Sequence, residues 1–135
     1  KRGGARYSEV AISLVDSTWN DKQDVQVVNV LNKGAIDFLD ENDAVEVRAI
    51  IGKDGAKTLP VKGQVNDHIK EYIKQLKAYE KHAVKAAIYG DKKEAMRALM
   101  SNPLVADLKT ASDCFDELLE AHKDYLPQFF KEDNK

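Results

Sequence analysis

Residues 44–61 read AVEVRAIIGKDGAKTLPV, and this stretch decides the fold class. From Ala44 to Arg48 apolar and polar residues alternate before three apolar residues close the run, the pattern of a half-buried strand. The Asp54-Gly55 pair marks a tight hairpin, so residues 57–61 are expected to return as a second strand. Pro60 has no N–H to donate, which keeps that strand short or confines it to an edge. Upstream, Val25, Val27, Val28 and Val30 form a β-branched run that predicts a further strand with an exposed edge at about 24–30. Asn32-Lys33-Gly34 supplies turn chemistry after it, and residues 40–43 make an acidic loop. Earlier still, Val10, Ala11, Leu14 and Val15 fall on one face of a helix over about 8–19, with Ser8 as N-cap and Glu9 in the first turn.

Downstream of Asn66 the period changes to that of helices. Ile69, Tyr72, Ile73, Leu76, Tyr79, Ala83, Ala86 and Ala87 recur at three- and four-residue spacing, and Gly90 is placed to close that helix. Asp91 with Glu94 three residues on predicts a capping box for the next helix. Met96, Leu99 and Met100 are its expected buried side, and Asn102-Pro103 its stop. A last helix is expected from about Asp107 to Tyr125, with Leu108, Ala111, Phe115, Leu118, Leu119 and His122 on one stripe. Residues 131–135 read as a frayed tail. Strands grouped together and then helices grouped together predict an α+β fold: a small, mostly antiparallel sheet packed with about four helices. A complete dinucleotide-binding fold is not expected, because Gly3-Gly4 has no strand before it and no G-x-G-x-x-G turn joins a strand to a helix.

The 135 residues suit one domain; 43% are hydrophobic and 33% charged, the balance of a globular chain. A formal net charge of −2 gives no field that would draw nucleic acid or an anionic membrane. No run approaches the roughly 18 apolar residues of a membrane span. Cys114, the single cysteine, allows no internal disulfide and fits a reducing, cytoplasmic compartment. The opening Lys1-Arg2-Gly3-Gly4, without methionine or signal peptide, reads as the start of a piece of a longer protein.

Few residues suggest chemistry. Tyr7 stands among Lys1, Arg2 and Arg6 and just before a helix, where cations and a helix N-terminus favour a phenolate; it is either such a base or a surface tyrosine beside a basic segment. His68 and His82 are roughly 21 Å apart along one helix, too far to share a metal ion. His122 reads as a half-buried packing residue and Cys114 as an inert thiol. Asp113, Asp116, Glu117 and Glu120 read as a solvated face, not as a carboxylate pair across a cleft. Lys70, Lys74, Lys77 and Lys81 read as the wet side of the long helix, and the Met96/Met100 pair as core.

Five segments, in order, carry a resemblance: KRGGARYS at 1–8, VVNVLNKGAI at 27–36, AVEVRAIIGKDGAKTLPV at 44–61, NPLVADL at 102–108 and DELLEAHKDYLPQF at 116–129. Together they resemble the C-terminal part of the family-four glycoside hydrolases, specifically the 6-phospho-β-glucosidases. The resemblance implies a C-terminal domain like that of lactate and malate dehydrogenases, attached to a nucleotide-binding N-terminal domain outside this chain. It implies NAD and a divalent metal, usually manganese, as cofactors, a 6-phospho-β-glucoside as substrate, and a homo-oligomer. In that scheme C3 of the sugar is oxidised, the C2 proton is removed, the aglycone is eliminated, water adds, and the hydride returns; this NAD-dependent route departs from two-carboxylate hydrolysis. The base is a tyrosine in an Arg-Gly-Gly-x-x-Tyr-Ser motif, here Arg2-Gly3-Gly4-Ala5-Arg6-Tyr7-Ser8. Arg2, Arg6 and Asn29 become candidate substrate contacts. The cysteine and histidine that hold the metal in the family precede the motif, so no metal ligand is expected in this chain, and the fragment alone is expected to be inactive. One departure stands out: family members often carry Thr-Arg-Asn after the residue matching Asn29, where this chain has Val30-Leu31-Asn32. The alternative is a non-catalytic domain that serves assembly of such an enzyme.

Overall fold

The computed structural model describes residues 6–130, and the chain divides into two compact units, residues 1–64 and 65–135. Arg2 and the tail 131–135 lie outside the described residues. The first unit holds helix α1 (Tyr7–Trp19) and strands β1 (Asp24–Leu31), β2 (Ala44–Gly52) and β3 (Gly55–Thr58). The second holds helices α2 (Asp67–Tyr89), α3 (Lys92–Ser101) and α4 (Leu108–Ala121), followed by two 3₁₀ turns at Lys123–Tyr125 and Pro127–Phe130. The α+β reading therefore stands.

In the first unit the sheet runs β1-β2-β3, with both pairings antiparallel. Val45, Val47, Ala49 and Ile51 of β2 are buried, alternating with exposed Glu46 and Arg48, so the period-two pattern of the sequence is the real pleat. On β1 the register sets Gln26, Val28 and Val30 opposite Ala49, Val47 and Val45, which leaves Val25, Val27, Asn29 and Leu31 on the other, exposed face. Gly52 pairs with Gly55 across the expected hairpin. The returning strand begins two residues earlier than expected and ends at Thr58; the Leu59 N–H still donates to the Arg48 carbonyl (2.9 Å), but Pro60 has no N–H to give and the Val61 N–H donates to the Ala35 carbonyl instead.

The loop between β1 and β2 folds over the sheet around one side chain. Asn32 is fully buried; its amide donates to the carbonyls of Ile36 (2.9 Å), Leu39 (3.2 Å) and Asp40 (3.2 Å) and accepts from the Ile36 N–H (2.7 Å). These bonds satisfy backbone that has no ladder partner, and they hold Ala35, Ile36 and Leu39 on Val30, Val45 and Val47.

In the second unit, Asn66 and Asp107 cap α2 and α4 by accepting from the N–H groups of His68 and Thr110. Gly90 ends α2 in the left-handed conformation, φ 69°. A side chain there would also strike the Gln128 carbonyl oxygen, 2.0 Å from the position of a Cβ. Several expectations need correction. Ser8 does not cap α1: the helix already includes Tyr7, and Arg6 precedes it without a side-chain cap. The capping box of α3 is half made, since Asp91 accepts from Lys93 and Glu94 while the Glu94 carboxylate turns to His82 (2.6 Å) and Arg97. Met100 is exposed, because Ala95, Ala98 and Leu99 are the α3 side chains that face the apolar interior with Ala83, Ala86 and Ala87. The last α-helix stops at Ala121, so its buried stripe narrows to Ala111, Phe115 and Leu119, and Leu108, Leu118 and His122 are exposed. Lys77 is not wet: its stem is largely covered while its ammonium pairs with Glu80.

Two predictions follow from these contacts. Asn32→Ala strips partners from four backbone groups and leaves a cavity at a fully buried position, which should cost about 2–4 kcal/mol, read as a lower urea midpoint; an unchanged midpoint would remove Asn32 from its central place. The Glu94 carboxyl is held below its ordinary range, first by the His82 hydrogen bond and then by Arg97. Folding therefore favours its charged form, and this stabilisation is complete above the unfolded value of about 4.3 and fades as pH falls through the lower folded value. Urea midpoints should show Glu94→Gln less stable than wild type near neutral pH, with the gap closing under acid; a gap independent of pH would refute this coupling.

Candidate functional site

Tyr7 is the first residue of α1, with Arg6 immediately before it. Its ring is 75% exposed. Arg6 lies 3.8 Å from Glu9, one turn on, and both side chains are well exposed. Among the described residues no side chain caps this helix end, so its first N–H groups present the positive end of the helix dipole at the position of Tyr7. Such an end favours a negative charge placed on it, such as a phosphate oxygen of a ligand.

What aims this terminus is a polar anchor at the other end of the helix. The Ser17 hydroxyl is fully buried; it donates to Asp24 (3.0 Å) and accepts from the Gln26 amide (2.7 Å). The Gln26 amide also reaches the Ser13 carbonyl and hydroxyl, each at 3.4 Å. The turn after the helix is pinned as well. Lys22 and Asn20 both donate to Asp16, and these bonds, Lys22 first, hold its carboxyl below the usual range. Asp21 accepts from the Lys53 N–H (2.9 Å) and from Gln23, with the same effect on its carboxyl. Helix α1 is thus tied to the β1 start and to the β2–β3 hairpin. The serine spacing, Ser13 and Ser17 four apart, was a signal for this anchor that apolar periodicity passes over.

Arg6 and Tyr7 share one helix terminus; Asn29 does not join them. Gln26 turns toward α1, whereas Asn29, three positions along β1, stands on the opposite exposed face beside Glu46. Arg2 lies outside the described residues. His68 and His122 are exposed, and His82 is engaged with Glu94. Asp113, Asp116, Glu117 and Glu120 are all exposed, with Asp113 paired to Lys109, as a solvated face requires.

The described residues bring no three His, Cys, Asp or Glu side chains together in a way that could hold a metal ion. Nor do they form a cradle for a dinucleotide: the passage from β3 to α2, residues 59–66, contains the single glycine Gly63. No helix among the described residues is long and apolar enough to cross a membrane.

Residues 1–105 match the family model described as "Family 4 glycosyl hydrolase C-terminal domain". A "Probable 6-phospho-beta-glucosidase" of Bacillus subtilis is 45% identical over 130 residues, which are 96% of this chain and 29% of that protein. The "Phospho-alpha-glucosidase PagL" of Clostridium acetobutylicum is 29% identical over 88% of this chain and 26% of its own length. Among solved structures, the 6-phospho-beta glucosidase of Thermotoga maritima with manganese, NAD+ and glucose-6-phosphate superposes with a TM-score of 0.83 at 32% identity, covering 93% of this chain and 30% of that one. The chain therefore spans under a third of the length of these relatives.

Proposed function

Because the chain belongs to family 4 of the glycosyl hydrolases as their C-terminal domain, we propose that it is the substrate-side part of an NAD- and divalent-metal-dependent 6-phospho-β-glucosidase, with Tyr7 as general base. The observation that carries this reading is the placement of Tyr7 at an uncapped helix N-terminus beside Arg6, inside the motif Arg2-Gly3-Gly4-Ala5-Arg6-Tyr7-Ser8. The greater identity to the β-glucosidase relative than to the α-glucosidase one favours the β-anomer.

Bound by the remainder of the polypeptide, NAD and the metal supply reversible oxidation at C3 and stabilisation of developing negative charge. The work of this chain is proton transfer. Tyr7 accepts the proton from C2 of the sugar, as a general base placed at the first position of α1. Arg2 and Arg6 have the charge to hold the sugar phosphate, and Asn29 is a further candidate contact from the other face of the sheet. The 135 residues alone turn over no substrate, since they correspond to the C-terminal domain and under a third of the length of the relatives. A cytoplasmic location suits an enzyme of phosphorylated sugars.

In the full-length enzyme, Tyr7→Phe should lower both cleavage of a 6-phospho-β-glucoside and exchange of the C2 hydrogen with solvent by about 10²–10⁴-fold, with KM little changed. Near-wild-type exchange would remove Tyr7 from the role. A second role in assembly is favoured by one observation: β1 ends the sheet and shows Val25, Val27 and Leu31 to solvent. Such an edge invites another strand or a covering surface. Val27→Lys in the full-length protein should shift sedimentation toward smaller species, and an unaltered profile counts against assembly through β1.

A further inference from the structure

Helix α1 turns three large apolar side chains away from its own sheet. Its bonds to the sheet are polar: Ser17 is fully buried against Asp24 and Gln26, and Ser13 is reached by Gln26. On the opposite side, Ile12, Val15 and Trp19 are 69%, 67% and 85% exposed. At about 3.6 residues per turn these three project within one sector of the helix, directly across from Ser13 and Ser17. The segment from Val10 to Val15, VAISLV, contains no charge. Beside the stripe, Leu14, Val15, Thr18 and Trp19 line a shallow hollow closed by Lys53. A packed helix normally buries its apolar stripe and wets its serines, so this inverted arrangement marks a stripe that something else covers.

We infer that the Ile12–Val15–Trp19 stripe is the docking surface for the polypeptide that precedes this chain in the intact protein. The inference deepens the proposed function and rests on its reading of the chain as the C-terminal part of a longer enzyme. The occupant follows from length and connection. The chain spans 29% of its Bacillus relative and matches a C-terminal domain, so most of the polypeptide lies on the N-terminal side of α1. A body joined covalently to α1 meets the stripe intramolecularly, at an effective concentration that a second copy arriving from solution does not match. The stripe, uncharged and aromatic at its end, calls for a dry apolar counterface with no bound charge. Docking there carries Tyr7, at the N-terminal end of the same helix, to the rim of the contact, where a base in this chain can meet a substrate held by the other body.

Hydroxyl-radical footprinting of the full-length protein reads the covering directly. Oxidation of Trp19 in the native protein should be at least about ten-fold slower than in the same protein unfolded in urea, as for a buried indole. A rate within about two-fold of the unfolded one, as for a solvent-exposed ring, overturns the inference. The measurement is repeated over a dilution series that dissociates any oligomer. Protection that persists in the monomer supports an intramolecular counterface, while protection lost on dilution assigns the stripe to a second copy and overturns the inference. A full-length Val15→Glu variant should melt several degrees lower than wild type, and an unchanged melting temperature also speaks against a covered stripe. These readings concern burial and stability, so they can fail while Tyr7→Phe still abolishes C2 exchange, and the reverse.

Discussion

A serine hydroxyl fixes helix α1 on its sheet. Ser17 has no exposed surface, and its one oxygen joins the end of α1 to Asp24 and Gln26 at the start of β1. A hydroxyl can both donate and accept, so a single small side chain ties two strand residues without leaving a polar atom unmet. An apolar residue at position 17 would pack against the same surface yet leave the Gln26 amide and the Asp24 carboxylate short of a partner. With Asp21 pinning the following turn to Lys53, the C-terminal end of the helix is fixed. A helix held at that end points its N-terminus in a defined direction, and Tyr7 stands there.

Much of the architecture was legible because it follows from periodicity. The alternation across Val45, Val47 and Ala49 is the pleat itself, and Asn66, Gly90, Asp91 and Asp107 are read as caps because their side chains or backbones do one thing well at a helix end. What failed were predictions about which face is dry. Met100, Leu108, Leu118 and His122 keep the right spacing but lie on the margins of their stripes, and spacing alone cannot say how wide a stripe the neighbouring helix covers. The hub at Asn32 also left no periodic trace: a buried amide that binds four backbone groups looks, in sequence, like any turn asparagine.

The site was legible only in part, for a physical reason. A tyrosine among basic residues can be an ordinary surface residue, and nothing in its spacing separates that from a base. The motif around Tyr7 raised it above that reading, and the helix N-terminus gives the motif a physical sense. Asn29 and Leu31 share a parity on β1, opposite that of Gln26, so the two positions where the resemblance seeks polar contacts both look away from α1. Any substrate contact from Asn29 therefore reaches around the sheet edge or serves a second surface.

The distribution of apolar surface accounts for why so much of the chemistry is missing from these residues. Among the described residues, the eight buried apolar ones are Ala35, Val45, Val47, Ala49, Ile51, Ala86, Ala98 and Ala111, five of them alanines. Alanine removes little apolar area from water, whereas the exposed Ile12, Val15, Trp19, Val25 and Val27 would remove much more. Small residues dominate a buried set where backbones approach closely, and large apolar ones remain outside where a contact surface is to be made. The interior of this chain thus fixes local geometry: a pleat, a hub, a helix terminus. The large apolar side chains of α1 and β1 stay outside that interior, and Tyr7, the proposed base, stands at the end of the same helix that presents Ile12, Val15 and Trp19.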